Sequence, residues 1–157
     1  MDSPNGGIEG FPADVPAGDI FRSFFVPKTC NHCARPPCVQ VCPVGATYQT
    51  KDGVVLVDRD YCIGCRYCIE ACPYGARFFH PKLHVADKCT FCYHRITNGL
   101  RPACVESCPR NVRIFGDLND PESELVKTLR RRPVQVLKPV LNTEPHAYYL
   151  NLDKEVR

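Results

Sequence analysis

The sequence predicts a loop-rich α+β fold built from repeats of a cysteine loop, a short helix and a β-hairpin, followed by a C-terminal arm. Three observations carry this. Twelve cysteines fall in three sets between residues 30 and 108. Fifteen prolines and ten glycines break the backbone into loops and tight turns. The runs Cys42-Pro-Val-Gly-Ala-Thr-Tyr, Cys72-Pro-Tyr-Gly-Ala-Arg-Phe and Cys108-Pro-Arg-Asn-Val-Arg-Ile align without gaps, so one supersecondary unit occurs three times. A chain of 157 residues suffices for one domain or a compact pair of half-domains. With so little continuous core it must lean on covalent staples or metal.

Taken in order, residues 1–19 are an irregular Gly/Pro/Asp-rich segment, residues 20–116 the cysteine-bearing domain, and residues 117–157 a helix and an extended arm for partner packing. Ile20 to Val26 is apolar enough for a strand ended by Pro27. Pro36 or Pro37 opens a short helix through Val39 and Val41 to Cys42, since the missing amide has no partner there anyway. Residues 47–58 read as a hairpin, with Val54 to Val57 as its return strand and Asp52-Gly53 at its turn. Ala76 to Phe79 repeats the first strand. In each aligned run the proline ends the cysteine helix, and Gly45, Gly75 or Asn111 supplies a left-handed turn that re-aims the chain into a strand. The eleven residues between Cys92 and Cys104 hold Asn98-Gly99 and form a turn. Asp120 to Glu124 starts a helix continued by Leu125 to Leu129, and Val134 to Leu137 and Tyr148 to Leu150 are extended.

The cysteine spacing decides the chemistry. Cys62, Cys65, Cys68 and Cys72 form a C-x2-C-x2-C-x3-C-P run, the spacing of a bacterial-ferredoxin [4Fe–4S] site, in which the fourth thiolate serves a neighbouring cluster. A disulfide scaffold has no reason to repeat C-x2-C. Structural zinc suits isolated C-x2-C pairs but leaves the third and fourth cysteines unexplained. By the ferredoxin rule the first two sets exchange fourth ligands. One cluster then takes Cys30, Cys33, Cys38 and Cys72; its neighbour takes Cys62, Cys65, Cys68 and Cys42. Cys89, Cys92, Cys104 and Cys108 form a looser third set for a third cluster.

Residues between the ligands fit the role. Gly64 lets its loop approach closely enough for amides to face sulfide. Ile63, Ile69, Val39, Val41, Val44 and Ala76 are placed to exclude water. Arg66 either raises the potential of its cluster or is a solvated arginine. His32 reads as an exposed loop histidine, and the other histidines show no ligand spacing. No catalytic nucleophile, acid–base pair, phosphate loop or dinucleotide fingerprint is found, so the sequence points to electron transfer with substrate chemistry elsewhere. Net charge is +3 with no basic face interleaved with aromatics, which argues against nucleic acid. No run approaches the roughly 18 apolar residues of a membrane span, and no signal peptide is visible.

The ordered motifs Cys-Asn-His-Cys-Ala-Arg-Pro-Pro-Cys-Val from Cys30, Cys-Ile-Gly-Cys-Arg-Tyr-Cys-Ile-Glu-Ala-Cys-Pro-Tyr-Gly-Ala-Arg from Cys62, Ala-Asp-Lys-Cys-Thr-Phe-Cys from Ala86, Pro-Ala-Cys-Val-Glu-Ser-Cys-Pro from Pro102 and Phe-Gly-Asp-Leu from Phe115 closely resemble one family over about residues 20–150. It is the four-cluster ferredoxin-type electron-transfer subunit of molybdopterin oxidoreductases, of the tetrathionate, polysulfide and dimethyl sulfoxide reductase type. The resemblance implies a ferredoxin-like fold and two partners, a molybdopterin-containing catalytic subunit and a membrane quinone-reacting anchor subunit. It implies a place peripheral to the cytoplasmic membrane, with the periplasmic face favoured. The family has sixteen cysteines in four sets, and the set nearest the N-terminus is absent from these residues. Either the chain is a fragment and Cys108 belongs with the missing set, or Cys89, Cys92, Cys104 and Cys108 close on one cluster. The rival reading is a free, diffusible polyferredoxin, which has no need of an apolar, proline-spaced arm.

Overall fold

The computed structural model describes residues 26–152; the segment expected over 1–19 and, but for Val26, the strand expected over 20–26 lie outside them. The first repeat begins with the loop carrying Cys30 and Cys33 and enters α1 (Pro37–Gln40), one turn with proline at its start. The helix ends at Gln40, short of the expected Cys42, because Pro43 disfavours helical geometry in the residue before it. Gly45, at φ +68°, redirects the chain into β1 (Thr47–Gln49), which pairs antiparallel with β2 (Val55–Val57), Thr47 opposite Val57 and Gln49 opposite Val55. The Asp52-Gly53 turn closes as expected, with Gly53 at φ +84°.

The second repeat follows the same course. α2 (Tyr67–Glu70) is a single turn, Gly75 sits at φ +59°, and β3 (Arg77–Phe79) pairs antiparallel with β4 (Ala86–Lys88). The third repeat diverges. α3 (Tyr93–Ile96) and α4 (Ala103–Glu106) carry its turns, and Asn111 takes the left-handed conformation expected of it, at φ +48°. No strand follows, contrary to expectation, because no return segment is offered as a partner before α5 (Glu124–Arg131). That helix starts at Ser123, whose hydroxyl accepts from the Val126 amide at 3.2 Å, rather than at Asp120, which closes a preceding turn.

Two small cores hold the chain together. In one, α1 packs on α2, and Cys38, Val55, Cys68 and Ala86 meet. Cys38 matches Cys68, and Val55 matches Ala86, across the two repeats, so this core is a quasi-symmetric seam. The other joins Cys33 and Tyr74 to Leu137 and Leu152 of the C-terminal segment. There β5 (Val134–Gln135) pairs with β6 (Tyr149–Leu150). The intervening residues dock on the first cysteine loop, where Glu144 and Thr143 carbonyls accept from Ala34 and Arg35 amides and the His146 amide reaches the Asn31 carbonyl. Among the described residues no helix is long and apolar enough to cross a membrane.

Candidate metal centre

Cys30 and Cys33 stand on the loop before α1, Cys38 inside α1, and Cys72 just beyond α2. These four thiols, from two different sets, line one small cavity of about 20 Å3. All twelve cysteines are free thiols. Among the described residues no three ligating side chains converge as a single ion requires; the thiols stand around a space instead. Burial pushes the Cys33 and Cys38 thiols up, and for Cys38 the nearby Arg77 guanidinium pulls back.

The second expected set is more open. Cys68 is buried, Cys62 and Cys42 are half-buried, and Cys65 is exposed. Burial pushes the Cys42 thiol up, but the amides of Thr47, Val44 and Ala46 outweigh it and hold the thiol below its ordinary range. Cys108 repeats the arrangement: the amides of Val112, Arg113 and Arg110 lower it. The donors lie two, four and five residues after the cysteine in both cases. The aligned Cys-Pro turn therefore wraps its own backbone N–H groups around a thiol that must be deprotonated to bind metal. In the third set, Cys89 and Cys104 are exposed, Cys92 and Cys108 half-buried. Although Cys89 reaches solvent, the chain crowded around its thiol pushes it up, the Phe91 amide opposes, and neighbouring Cys30 and Cys104 add to the rise. With His32 of the first loop 4.8 Å from Phe91 of the third, ring to ring, the first and third sets are neighbours.

Several residues differ from expectation. His32 is buried, 3 % exposed, rather than a solvated loop histidine. Its Nδ1 accepts the Val55 amide at 3.1 Å and its ring lies 4.8 Å from Phe91. Burial first, then the charges of Lys88, His146 and Arg77, push it down to about 3, so it is neutral near pH 7. Gly64, at φ +69°, meets the His84 carbonyl: a Cβ there would stand 2.5 Å from that oxygen, so the close approach is to backbone. Ile63, Val41 and Val44 are exposed, whereas Val39, Ile69 and Ala76 pack in the cores. Arg66 places its guanidinium 4.0 Å from the Phe79 ring centroid.

Two buried cations escaped the sequence reading. Lys88, 6 % exposed, donates to the carbonyls of Val55 and Cys89. Arg77, 5 % exposed, donates to Thr47 Oγ1 at 3.2 Å and lines the cavity. Asp87 is committed elsewhere, to Arg59 at 2.7 Å. The signal for Arg77 lay in the repeats, because Arg77 and Arg113 occupy the same place five residues after a Cys-Pro cysteine.

The family model for the 4Fe-4S dicluster domain matches residues 21–118. The chain belongs to the 4Fe-4S dicluster family. Within it, the chain is 55% identical over 130 residues to a tetrathionate reductase subunit of Salmonella typhimurium, covering 82% of this chain and 52% of that one. It is 41% identical over 167 residues to a putative dimethyl sulfoxide reductase iron-sulfur subunit of Halobacterium salinarum (90% and 64%). To a sulfite dehydrogenase subunit of Allochromatium vinosum it is 50% identical over 131 residues (79% and 55%). The chain thus spans about half to two-thirds of the length of these curated relatives. The cofactors of the dicluster family are [4Fe–4S] clusters, and the site fits them: soft thiol donors ring a cavity, with cations nearby to offset cluster charge.

Proposed function

We propose that the chain is the electron-relay subunit of a multi-subunit oxidoreductase, standing between a membrane quinone-reacting anchor subunit and a molybdopterin-containing catalytic subunit. The observation that carries this is the cavity lined by Cys30, Cys33, Cys38 and Cys72, because a thiol shared between two sets ties two redox centres into one short path. When bound, each [4Fe–4S] cluster supplies a one-electron couple. The chain's own work is to hold, space and insulate. Cys62, Cys65, Cys68 and Cys42 form the second site, the last with its amide donors already in place. Cys89, Cys92 and Cys104 supply a third, beside the first through the His32–Phe91 contact, with Cys108 closing it or serving a further set. His32, Val55 and Tyr74 pack the first site against solvent.

The kinship with subunits named for tetrathionate, dimethyl sulfoxide and sulfite supports a sulfur-oxyanion or sulfoxide system as the setting. The chain then lies peripheral to the cytoplasmic membrane, with Val140, 83 % exposed, and Leu141 of the C-terminal segment offered to a partner. The test is anaerobic isolation from native membranes with counting of iron, acid-labile sulfide and co-purifying molybdenum. Cluster signals that reoxidise on adding the terminal acceptor support the relay. A lone monomer in native extract favours a diffusible polyferredoxin.

A further inference from the structure

The buried side-chain nitrogen and oxygen atoms without a hydrogen-bond partner, among the described residues, are Nδ2 and Oδ1 of Asn31, Nε2 of His32 and one terminal guanidinium nitrogen of Arg77. All three residues line the cavity of Cys30, Cys33, Cys38 and Cys72. Buried donors left unpaired are costly, most of all when charged, and folds rarely keep them. Orphans gathered on the walls of one space point to an acceptor in that space. The His32 ring sharpens this. Its Nδ1 accepts the Val55 amide, so Nε2 carries the proton, and that N–H makes no well-formed hydrogen bond, with only the Cys89 carbonyl beside it. Arg77 is anchored by its other terminal nitrogen to Thr47 and is permanently charged.

We propose that Arg77 is a positioning residue that raises the reduction potential of the cluster held by Cys30, Cys33, Cys38 and Cys72. Its second terminal nitrogen, which has no partner oxygen and stands on the wall of the Cys38 site, donates to sulfur of that cluster. This rests on the cluster reading above. Reduction adds negative charge, and a fixed cation and N–H donors in a poorly solvated wall favour the reduced form. The aligned position of the first repeat is Thr47. The cluster of Cys62, Cys65, Cys68 and Cys42 therefore has no cation of its own at that place and meets the guanidinium only through Thr47, and the two potentials are split by this difference between the repeats.

The experiment compares wild type, Arg77→Gln and Arg77→Lys in the full chain, purified anaerobically, by EPR-monitored redox titration with iron and sulfide counted. Arg77→Gln lowers one midpoint, that of the signal also lost in Cys38→Ala, by about tenfold in the reduction equilibrium, about 59 mV for a one-electron couple. Arg77→Lys keeps the charge and recovers most of the shift. Fully loaded Arg77→Gln with every midpoint at its wild-type value overturns the proposal. Should Arg77→Gln not assemble, pulsed EPR on wild type with nitrogen-15 confined to arginine guanidinium decides. A coupling to that cluster, missing in Arg77→Lys grown with the same arginine label, supports the proposal; no coupling in the labelled wild type overturns it. Wild-type protein without iron or sulfide refutes the cluster reading itself.

Discussion

Arg77 and Thr47 occupy the same place in two copies of one repeat, and the guanidinium of the first donates to the hydroxyl of the second at 3.2 Å. A quasi-symmetric pair thus closes on itself at an asymmetric position. Thr47 also ties its amide to Cys42 Sγ at 3.4 Å, so the contact couples the walls of both sites.

Thr47→Val keeps the shape and removes the acceptor from a buried cation. The expected loss is about 1.5–3 kcal/mol, the range for hydrogen bonds to charged groups. Anaerobic denaturant titration of the cluster-loaded protein checks it. An unchanged midpoint means that the bond contributes nothing.

Gly64 and Gly99 share the left-handed conformation, at φ +69° and +72°, but differ in surroundings. Gly99→Ala has open space and loses only the conformational preference, about 1–2 kcal/mol. Gly64→Ala adds a collision with the His84 carbonyl and costs more. Equal shifts in thermal midpoint contradict the packing described for that loop.

What the sequence made legible was local. Cysteine spacing, the Asp52-Gly53 hairpin and the left-handed turns at Gly45, Gly75 and Asn111 each depend on residues a few positions apart. What it concealed depends on distant partners. His32 is buried because Val55, twenty-three positions on, donates to its ring. The strand Ala86–Lys88 carries two charged residues, and only Arg59 on Asp87 and two carbonyls on Lys88 make their burial tolerable. The C-terminal extended segments were legible as extended; their return to the first cysteine loop was not, since the contacts bridge the length of the domain.

That return docking gives a further test. Tyr74 and Thr143 hydroxyls are bonded at 2.5 Å. Tyr74→Phe removes the bond at a cost of about 1 kcal/mol. It raises the rate of limited proteolysis between residues 138 and 147, read by mass spectrometry against wild type. Unaltered cleavage means that the segment is held by its other contacts alone.

Tyr149 sets an alkaline limit. Burial pushes its phenol above the ordinary value while the Arg113 cation pulls partly back, and its hydroxyl donates to the Pro27 carbonyl at 2.9 Å. The unfolded chain releases this proton from about pH 10, whereas the folded chain keeps it to higher pH. Unfolding in that window releases a proton, so stability is full below about pH 10 and falls as pH rises past it. Tyr149→Phe removes this component, and the fall in denaturation midpoint above about pH 10 becomes shallower than in wild type.

The central claim is that the first two cysteine sets share thiols across the seam between repeats. The most direct measurement is EPR of the reduced, anaerobically purified variants Cys33→Ala, Cys65→Ala and Cys72→Ala, with iron and sulfide counted. Cys72→Ala is predicted to lose the same signal as Cys33→Ala and to keep the one that Cys65→Ala loses. If it instead loses the signal lost in Cys65→Ala, each set closes on its own cluster and the crossed arrangement is wrong.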